Sequence, residues 1–446
     1  MNASDSSRIG EALGRMGLSF TPTAESADLI VLNTCSIREK PEEKMLSALG
    51  RYRAVKVARG AMIAVGGCVA QQEKERILKK APYVDVVFGP DAIGRLPELV
   101  ERARRDHVRT VETAWVDSDE YVFPRADPEA ARGKVTGLVT VMKGCDNVCS
   151  FCVVPHTRGR EVSRPVGEVL AEVADLARVG VREVTLIGQN VNSYRGGCTF
   201  ASLLRQVARE PGVERVRFTT SHPHDLSDDL VEAFRVEPKI APHFQLPIQC
   251  GVDRLLSKMR RDYTVAEYLE RLAALRRARP GIAVTTDIIV GFPGETDEEF
   301  DQTVDLTRRV RFENQYSFVF SPRPKTAAGA HEAEWGPVPH AVKVSRLDRL
   351  IEVQRAITAE ILRESVGTEV EVLVEGPSRF EPTRRFGRTP ENRVVNFDGD
   401  APAGALAWVK IEHASSSALR GVQGERVSLP PIPVADPLPE GDACSA

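Results

Sequence analysis

Within the stretch "VMKGCDNVCSFCVVPHTRGRE", Cys145, Cys149 and Cys152 stand at C-x3-C-x2-C spacing, three thiols in eight residues. They are too crowded to pair with one another as a disulfide framework. Thiolates carried on a short irregular loop are the donor set of an iron–sulfur cluster. Three protein ligands on a [4Fe–4S] cube would leave one iron open, where a small molecule can coordinate. The competing reading is zinc, which in structural use completes four protein ligands, commonly from pairs of C-x2-4-C. His156 is a candidate fourth ligand, but it directly follows Pro155 in a segment of different spacing. Two further thiols, Cys35 and Cys68, follow predicted strands. From the residues alone, each reads as a buried structural cysteine.

The elements that must position these thiols alternate in type. "ADLIVLN" and "AMIAVGG" are short apolar runs, separated by the helix-spaced "PEEKMLSALGRYRAV" and followed by "QQEKERILKKA". Such alternation predicts a parallel α/β sheet. Irregular acidic sequence over 117–132 reads as a linker. From "KVTGLVTVMKG" the rhythm resumes. The runs "REVTLIGQN", "RVRFTTSHP", "HFQLPIQCG" and "IAVTTDIIVGFPGET" are predicted strands, with helices between several of them. About six βα units predict a full or partial barrel with its chemistry at the C-terminal strand ends. After a helix at 341–364, "GTEVEVLVEGPS", "NRVVNF", "AWVKIEHA" and "ERVSLPP" predict a small β-barrel over 364–430, and the Pro-rich tail 431–446 is expected to be disordered. The expected domains are therefore 1–116, 133–363 and 364–430.

Composition narrows the setting. The chain has 446 residues, 42% of them apolar and 28% charged, with a net charge of −3. No global field advertises nucleic-acid binding, so any basic surface must be local. The opening residues lack the apolar core of a signal peptide, and no 18 apolar residues run together. Eight cysteines in a chain of this length are no disulfide scaffold. A cytoplasmic protein, monomeric by default, is expected.

The triplet with Phe151 before its last cysteine, placed after a first barrel strand, resembles the radical S-adenosylmethionine superfamily. The flanking words "NTCSIREK", "GGCVAQQE", "VVPHTRGREVSRP", "GQNVNSY" and "IIVGFPGET" resemble the tRNA methylthiotransferases within it, and the branch acting on N6-isopentenyladenosine at tRNA position 37 above all. "EGPSRFEPTRRFGRTPENRVVNF" resembles the RNA-binding TRAM module that ends that family. The resemblance implies that Cys145, Cys149 and Cys152 hold a [4Fe–4S] cluster whose open iron takes S-adenosylmethionine, the source of a 5′-deoxyadenosyl radical. It implies a second cluster, the source of the sulfur, at Cys35 and Cys68. The tRNA anticodon stem-loop is the implied partner. The electron donor is not specified. Related enzymes acting on threonylcarbamoyladenosine or on a ribosomal protein remain alternatives. So does an RNA-binding iron–sulfur protein without methylthiolation activity.

One expected ligand is absent. The family's N-terminal domain offers three cysteines, the first in a "GCQMN"-like turn, and "MN" at residues 1–2 aligns with the end of that turn. The natural chain is therefore expected to start upstream. The competing expectation is a chain that starts here and holds its second cluster badly. Cys198, Cys250 and Cys444 read as ordinary residues rather than substitutes.

Other residues are assigned by position and resemblance. Gly188, Gln189 and Asn190 end a strand and are implied to lie near S-adenosylmethionine, with Ser221 and His222 at the end of another. "GFPGET" is no phosphate loop, since no G-K-[ST] follows. Residues 379–393 hold Arg379, Arg384, Arg385, Arg388 and Arg393 against two glutamates. Arginine pairs with phosphate and stacks on unpaired bases, so these five are the expected RNA contacts.

Overall fold

The computed structural model describes residues 1–36, 41–118 and 120–428. The tail expected to be disordered and Cys444 lie outside them. The first layer is a parallel four-stranded sheet in the order β1 (Leu29–Thr34), β2 (Met62–Gly67), β3 (Val86–Phe88) and β4 (Thr110–Glu112). Both faces are covered, as near-continuous apolar strands require. Helices Asn2–Gly14 and Leu96–Asp106 meet Ala64, Val86 and Phe88 on one face. On the other, Leu49 of helix Pro41–Arg59 packs with Ile63, Val65 and Val87. The segment expected as a linker is a packed strap: Phe123 is buried, and Tyr121 lies under Lys143, whose Nζ is 3.6 Å from the ring centroid.

The central layer is an open barrel. Strands β5 (Thr136–Thr140), β8 (Glu183–Ile187) and β9 (Arg215–Phe218) form one parallel triplet. β10 (His243–Gln245), β11 (Ala283–Val290) and β12 (Asn314–Val319) form the other. A bridge from Val216 to Ile240 joins them, and Ala241 N–H donates to Val216 O at 2.9 Å. Between β5 and β8 a short antiparallel hairpin, β6 (Met142–Lys143) and β7 (Val162–Ser163), frames the cysteine loop. Among the described residues the outer edge of β12 has no strand partner.

Alternation sorts the barrel residues. Val216, Phe218 and Phe244 face the outer helices, with Phe218 edge-on to Phe200 and Phe244 at 5.0 Å each. Burying each such ring stabilises by about 1.5–3 kcal/mol. The alternate residues Arg215, Arg217, His243, Gln245, Thr285 and Asp287 are polar. Capping boxes at Thr264/Glu267 and Thr296/Glu299 start two of the outer helices cleanly.

The long helix His340–Arg363 packs against β12 and leads into a closed barrel ordered β13 (Glu369–Pro377), β14 (Arg385–Arg388), β15 (Val394–Asp398), β17 (Leu419–Ser428) and β16 (Leu406–Ala414). β14 was not among the expected strands. Its sequence "RFGR" is short and charged, with Gly387 facing the Leu373 carbonyl too closely to admit a Cβ. Buried arginines dock this barrel. Arg217 donates to the carbonyls of Thr389 (2.7 Å) and Pro390 (2.8 Å), and Arg215 to that of Arg388 (3.1 Å). Among the described residues no helix is long and apolar enough to cross a membrane.

Candidate functional site

The cysteine loop is pinned by its own backbone. Gly144 adopts φ +74° against the Arg160 carbonyl, where a Cβ would clash, so glycine is required before Cys145. Ser150 N–H donates to Met259 O at 2.9 Å and its hydroxyl to Lys258 O at 2.8 Å. Cys152 N–H donates back to Cys149 O at 3.1 Å. The three thiols and Phe151 then line one cavity of about 400 Å³.

Burial pushes the thiols of Cys145 and Cys152 up, to about 11 and about 12. They become thiolates there only when a cation supplies the counter-charge. Arg261 supplies part of it: its Nη1 lies 3.3 Å from Cys149 Sγ, and its other nitrogens are held by the Tyr263 hydroxyl (3.0 Å) and the Pro247 carbonyl (3.0 Å). His156 is exposed and does not line the cavity.

The same cavity receives the strand ends expected to hold a small molecule. Gln189 Oε1 accepts from Gly144 N–H at 2.5 Å, and Gly188 lies against Met142 with no room for a Cβ. Asn190 donates to Asp225 at 2.7 Å, while its Oδ1 is buried without a hydrogen-bond partner. A buried orphan acceptor on a cavity wall fits a ligand that donates to it, as an amino group would. Ser221 donates to Gln245 O beside Thr220, which adopts φ +69°, a strained conformation for a β-branched residue. Burial lowers His222 to about 3, so it is neutral. Three thiols, an orphan acceptor and a cationic neighbour around one chamber are a donor set that fits a cluster and its small-molecule ligand.

Cys35 and Cys68 come together by register. Thr34 pairs with Gly67 across β1 and β2, so the two cysteines leave adjacent strands at the same edge. Thr34 Oγ1 donates to Gly66 O (2.6 Å) and accepts from Val69 N–H (3.2 Å), tying the two exits. Ser36 lines the same cavity as the triplet, so this edge opens onto it. Arg158, six residues beyond Cys152, reaches back to Cys68 and Asp5. Cys250 is in the barrel core, its S–H donating to Val252 O at 3.6 Å, and Cys198 accepts from Gln206 at 3.7 Å.

A second cleft of about 900 Å³ runs from the barrel interior to the small barrel, and Gln245 and Phe318 line both spaces. Arg388 and Arg393 stand at its far end. The five arginines are not equivalent. Arg393 grips Glu313 at 2.7 and 3.1 Å, and Arg384 pairs with Glu381 and Asp398 at 3.0 Å each. Arg388 pairs with Glu375 at 2.5 Å. Among the described residues Arg385 reaches the Asp400 carbonyl by one long side-chain contact (3.5 Å), while Arg379 is exposed beside Phe380, itself 95% exposed.

Sequence comparison agrees with this layout. Residues 139–307 match the Radical SAM superfamily, 363–422 the TRAM domain, and 1–89 the uncharacterized protein family UPF0004. A Myxococcus xanthus protein named tRNA-2-methylthio-N(6)-dimethylallyladenosine synthase is 67% identical over 98% of this chain and 94% of its own length. The chain belongs to the tRNA-2-methylthio-N(6)-dimethylallyladenosine synthase family. Members from Anaeromyxobacter sp. strain K and Alkalilimnicola ehrlichii are 65% and 46% identical, each over 94% of this chain and over 91% and 94% of their own lengths. A solved structure of TsrM, a radical S-adenosylmethionine methyltransferase from Kitasatospora setae, shares the fold, with TM-score 0.54 and 18% identity over 74% of each chain. The radical SAM domain of this synthase-family member implies a [4Fe–4S] cluster and S-adenosylmethionine. The chamber around Cys145, Cys149 and Cys152 has the donors to hold them.

Proposed function

We propose that this chain converts N6-dimethylallyladenosine at position 37 of tRNA to its 2-methylthio derivative. The observation that carries the reading is one chamber lined by Cys145, Cys149 and Cys152, reached by Ser36 from the strand edge that carries Cys35 and Cys68, and continuing as a cleft to an RNA-binding-type barrel. The residues divide the work. The triplet holds the first cluster; Asn190, Gln189 and Ser221 position the cofactor; Cys35 and Cys68 contribute ligands to a second, sulfur-bearing cluster. Adenine C2 is an unactivated C–H, and the bound cluster and S-adenosylmethionine supply hydrogen-abstracting radical chemistry there. Protein side chains then bind, orient and exclude water. Arg261 stabilises negative charge on Cys149, neutral His222 walls the chamber, and Arg379 and Arg385 grip the anticodon stem-loop while the base is turned out of its stack. The enzyme works as a cytoplasmic monomer with a separate electron donor.

The test is nucleoside analysis of tRNA from cells lacking this protein and from cells complemented with it. Dimethylallyladenosine should accumulate without the protein, and the 2-methylthio form should return with it. Restoration of a methylthiolated threonylcarbamoyladenosine instead, or of neither nucleoside, would overturn the reading.

A further inference from the structure

The interior of the barrel carries an acid that the cluster chemistry does not use. Asp287 sits in the middle of β11, whose alternate residues Val284, Thr286 and Ile288 are turned into the buried wall. Its carboxyl therefore lines the chamber. Gln245 of β10 donates to its Oδ2 at 3.1 Å. That amide cannot turn round, because its Oε1 accepts from Thr220 N–H at 3.1 Å. Among the described residues this is the one hydrogen bond to the carboxyl, which leaves Oδ1 for whatever enters.

Two aromatic rings stand beside it. Asp287 pairs in register with Tyr316 and Ile289 with Phe318, and in a parallel pair such partners share a face. Tyr316 is 51% and Phe318 43% exposed, high values for aromatic residues on a barrel wall. Phe318 and Gln245 mark the junction between the chamber and the cleft leading to the small barrel. Apolar ring faces next to a fixed polar pair are the two halves of a nucleobase site.

We propose that Asp287, held by Gln245, reads the N6/N7 edge of the target adenine, with Phe318 and Tyr316 carrying the face of the base. An N6-monosubstituted adenine keeps one N6–H donor beside the N7 acceptor, whereas guanine offers two acceptors at the same edge. A neutral carboxyl matches the adenine pattern, its O–H donating to N7 and its C=O accepting from N6–H. Burial raises Asp287 to about 6, against the Gln245 hydrogen bond and the Arg261 guanidinium, which brings the proton that pairing with N7 requires closer to neutral pH. Pairing at N6/N7 leaves C2, across the ring, free for the reaction. This assignment rests on the function proposed above and adds the residue that makes it specific for adenine.

The test uses the full chain and synthetic anticodon stem-loops bearing N6-dimethylallyladenosine, N6,N6-dimethyladenosine or guanosine at position 37, with affinity read by fluorescence anisotropy. Wild type should favour the first over the other two by about tenfold, the size of one bidentate base contact. Asp287→Asn, whose amide also offers a donor and an acceptor, should keep the preference. Asp287→Leu should lose it while retaining the affinity common to all three loops. Equal binding of the three loops by wild type, or an undiminished preference in Asp287→Leu, would overturn the assignment. If the same wild-type protein converts dimethylallyladenosine in tRNA, the proposed activity survives that failure; if it converts none, the activity itself fails.

Discussion

Arg158 donates to Asp5 Oδ2 across the boundary between the first two layers, and the same guanidinium lies within hydrogen-bonding reach of the Cys68 sulfur. Two more buried ion pairs cross that boundary: Arg8 with Glu172 at 3.0 Å and Lys143 with Asp91 at 2.7 Å. The N-terminal layer is thus docked partly by charge. Arg158→Met leaves Asp5 buried and unpaired, which should cost about 3–5 kcal/mol. Urea unfolding should then show the N-terminal layer released ahead of the barrel. An unmoved, single transition would show that Arg158 does not hold the layers together.

Cys149→Ala removes one of three thiols around the chamber and the sulfur that Arg261 faces. Iron and acid-labile sulfide in the purified protein should fall, and cleavage of S-adenosylmethionine should drop to background. Substantial residual cleavage would sink the ligand assignment.

His243 is buried and held down to about 3, chiefly by burial and then by the charge of Arg217. A lowered folded value means the unfolded chain takes the proton first as pH falls. The stability tied to neutral His243 is therefore whole above about 6.5 and lost between about 6.5 and 3. Relative to wild type, His243→Gln should gain about 1.4 kcal/mol per pH unit on acidification through that window. Parallel pH profiles for the two proteins would contradict it.

The arginines without an acid partner among the described residues, exposed Arg379 and half-buried Arg385, should separate experimentally from the ion-paired ones. Arg379→Ala with Arg385→Ala should weaken tRNA binding and flatten its logarithmic salt dependence by about 1.5, as expected for two phosphate contacts. Arg393→Ala, which strips Glu313 of its partner, should lower stability and leave the salt slope intact. If the slope changes only in the Arg393 variant, RNA is gripped at the cleft end rather than at the loop beside Phe380.

The triplet and the strand exits were legible in the sequence because their information is local: eight residues carry the thiols, and apolar runs ending in small residues mark the strands. The six-stranded barrel followed from the βα rhythm. What sequence could not show is convergence. Arg261 meets Cys149 across 112 residues, and Gln245 meets Asp287 across 42. Nothing in the word "TTDIIVGF" singles out its aspartate. The five arginines read as one basic patch because their acid partners, such as Glu313, lie far away in the chain. β14 escaped because its pattern is too short and too charged to alternate visibly.

The edge of β12, without a strand partner among the described residues, has a topological consequence. A fully closed barrel admits guests only through its mouth, which suits a free nucleoside but not one residue of a polymer with both neighbours attached. Among the described residues the sheet stops at β12, and the cleft lined by β12, helix His340–Arg363 and the small barrel forms a slit that leads into the chamber. A continuous strand can lie across such a slit and turn a single base inward, with no end of the strand having to be threaded through.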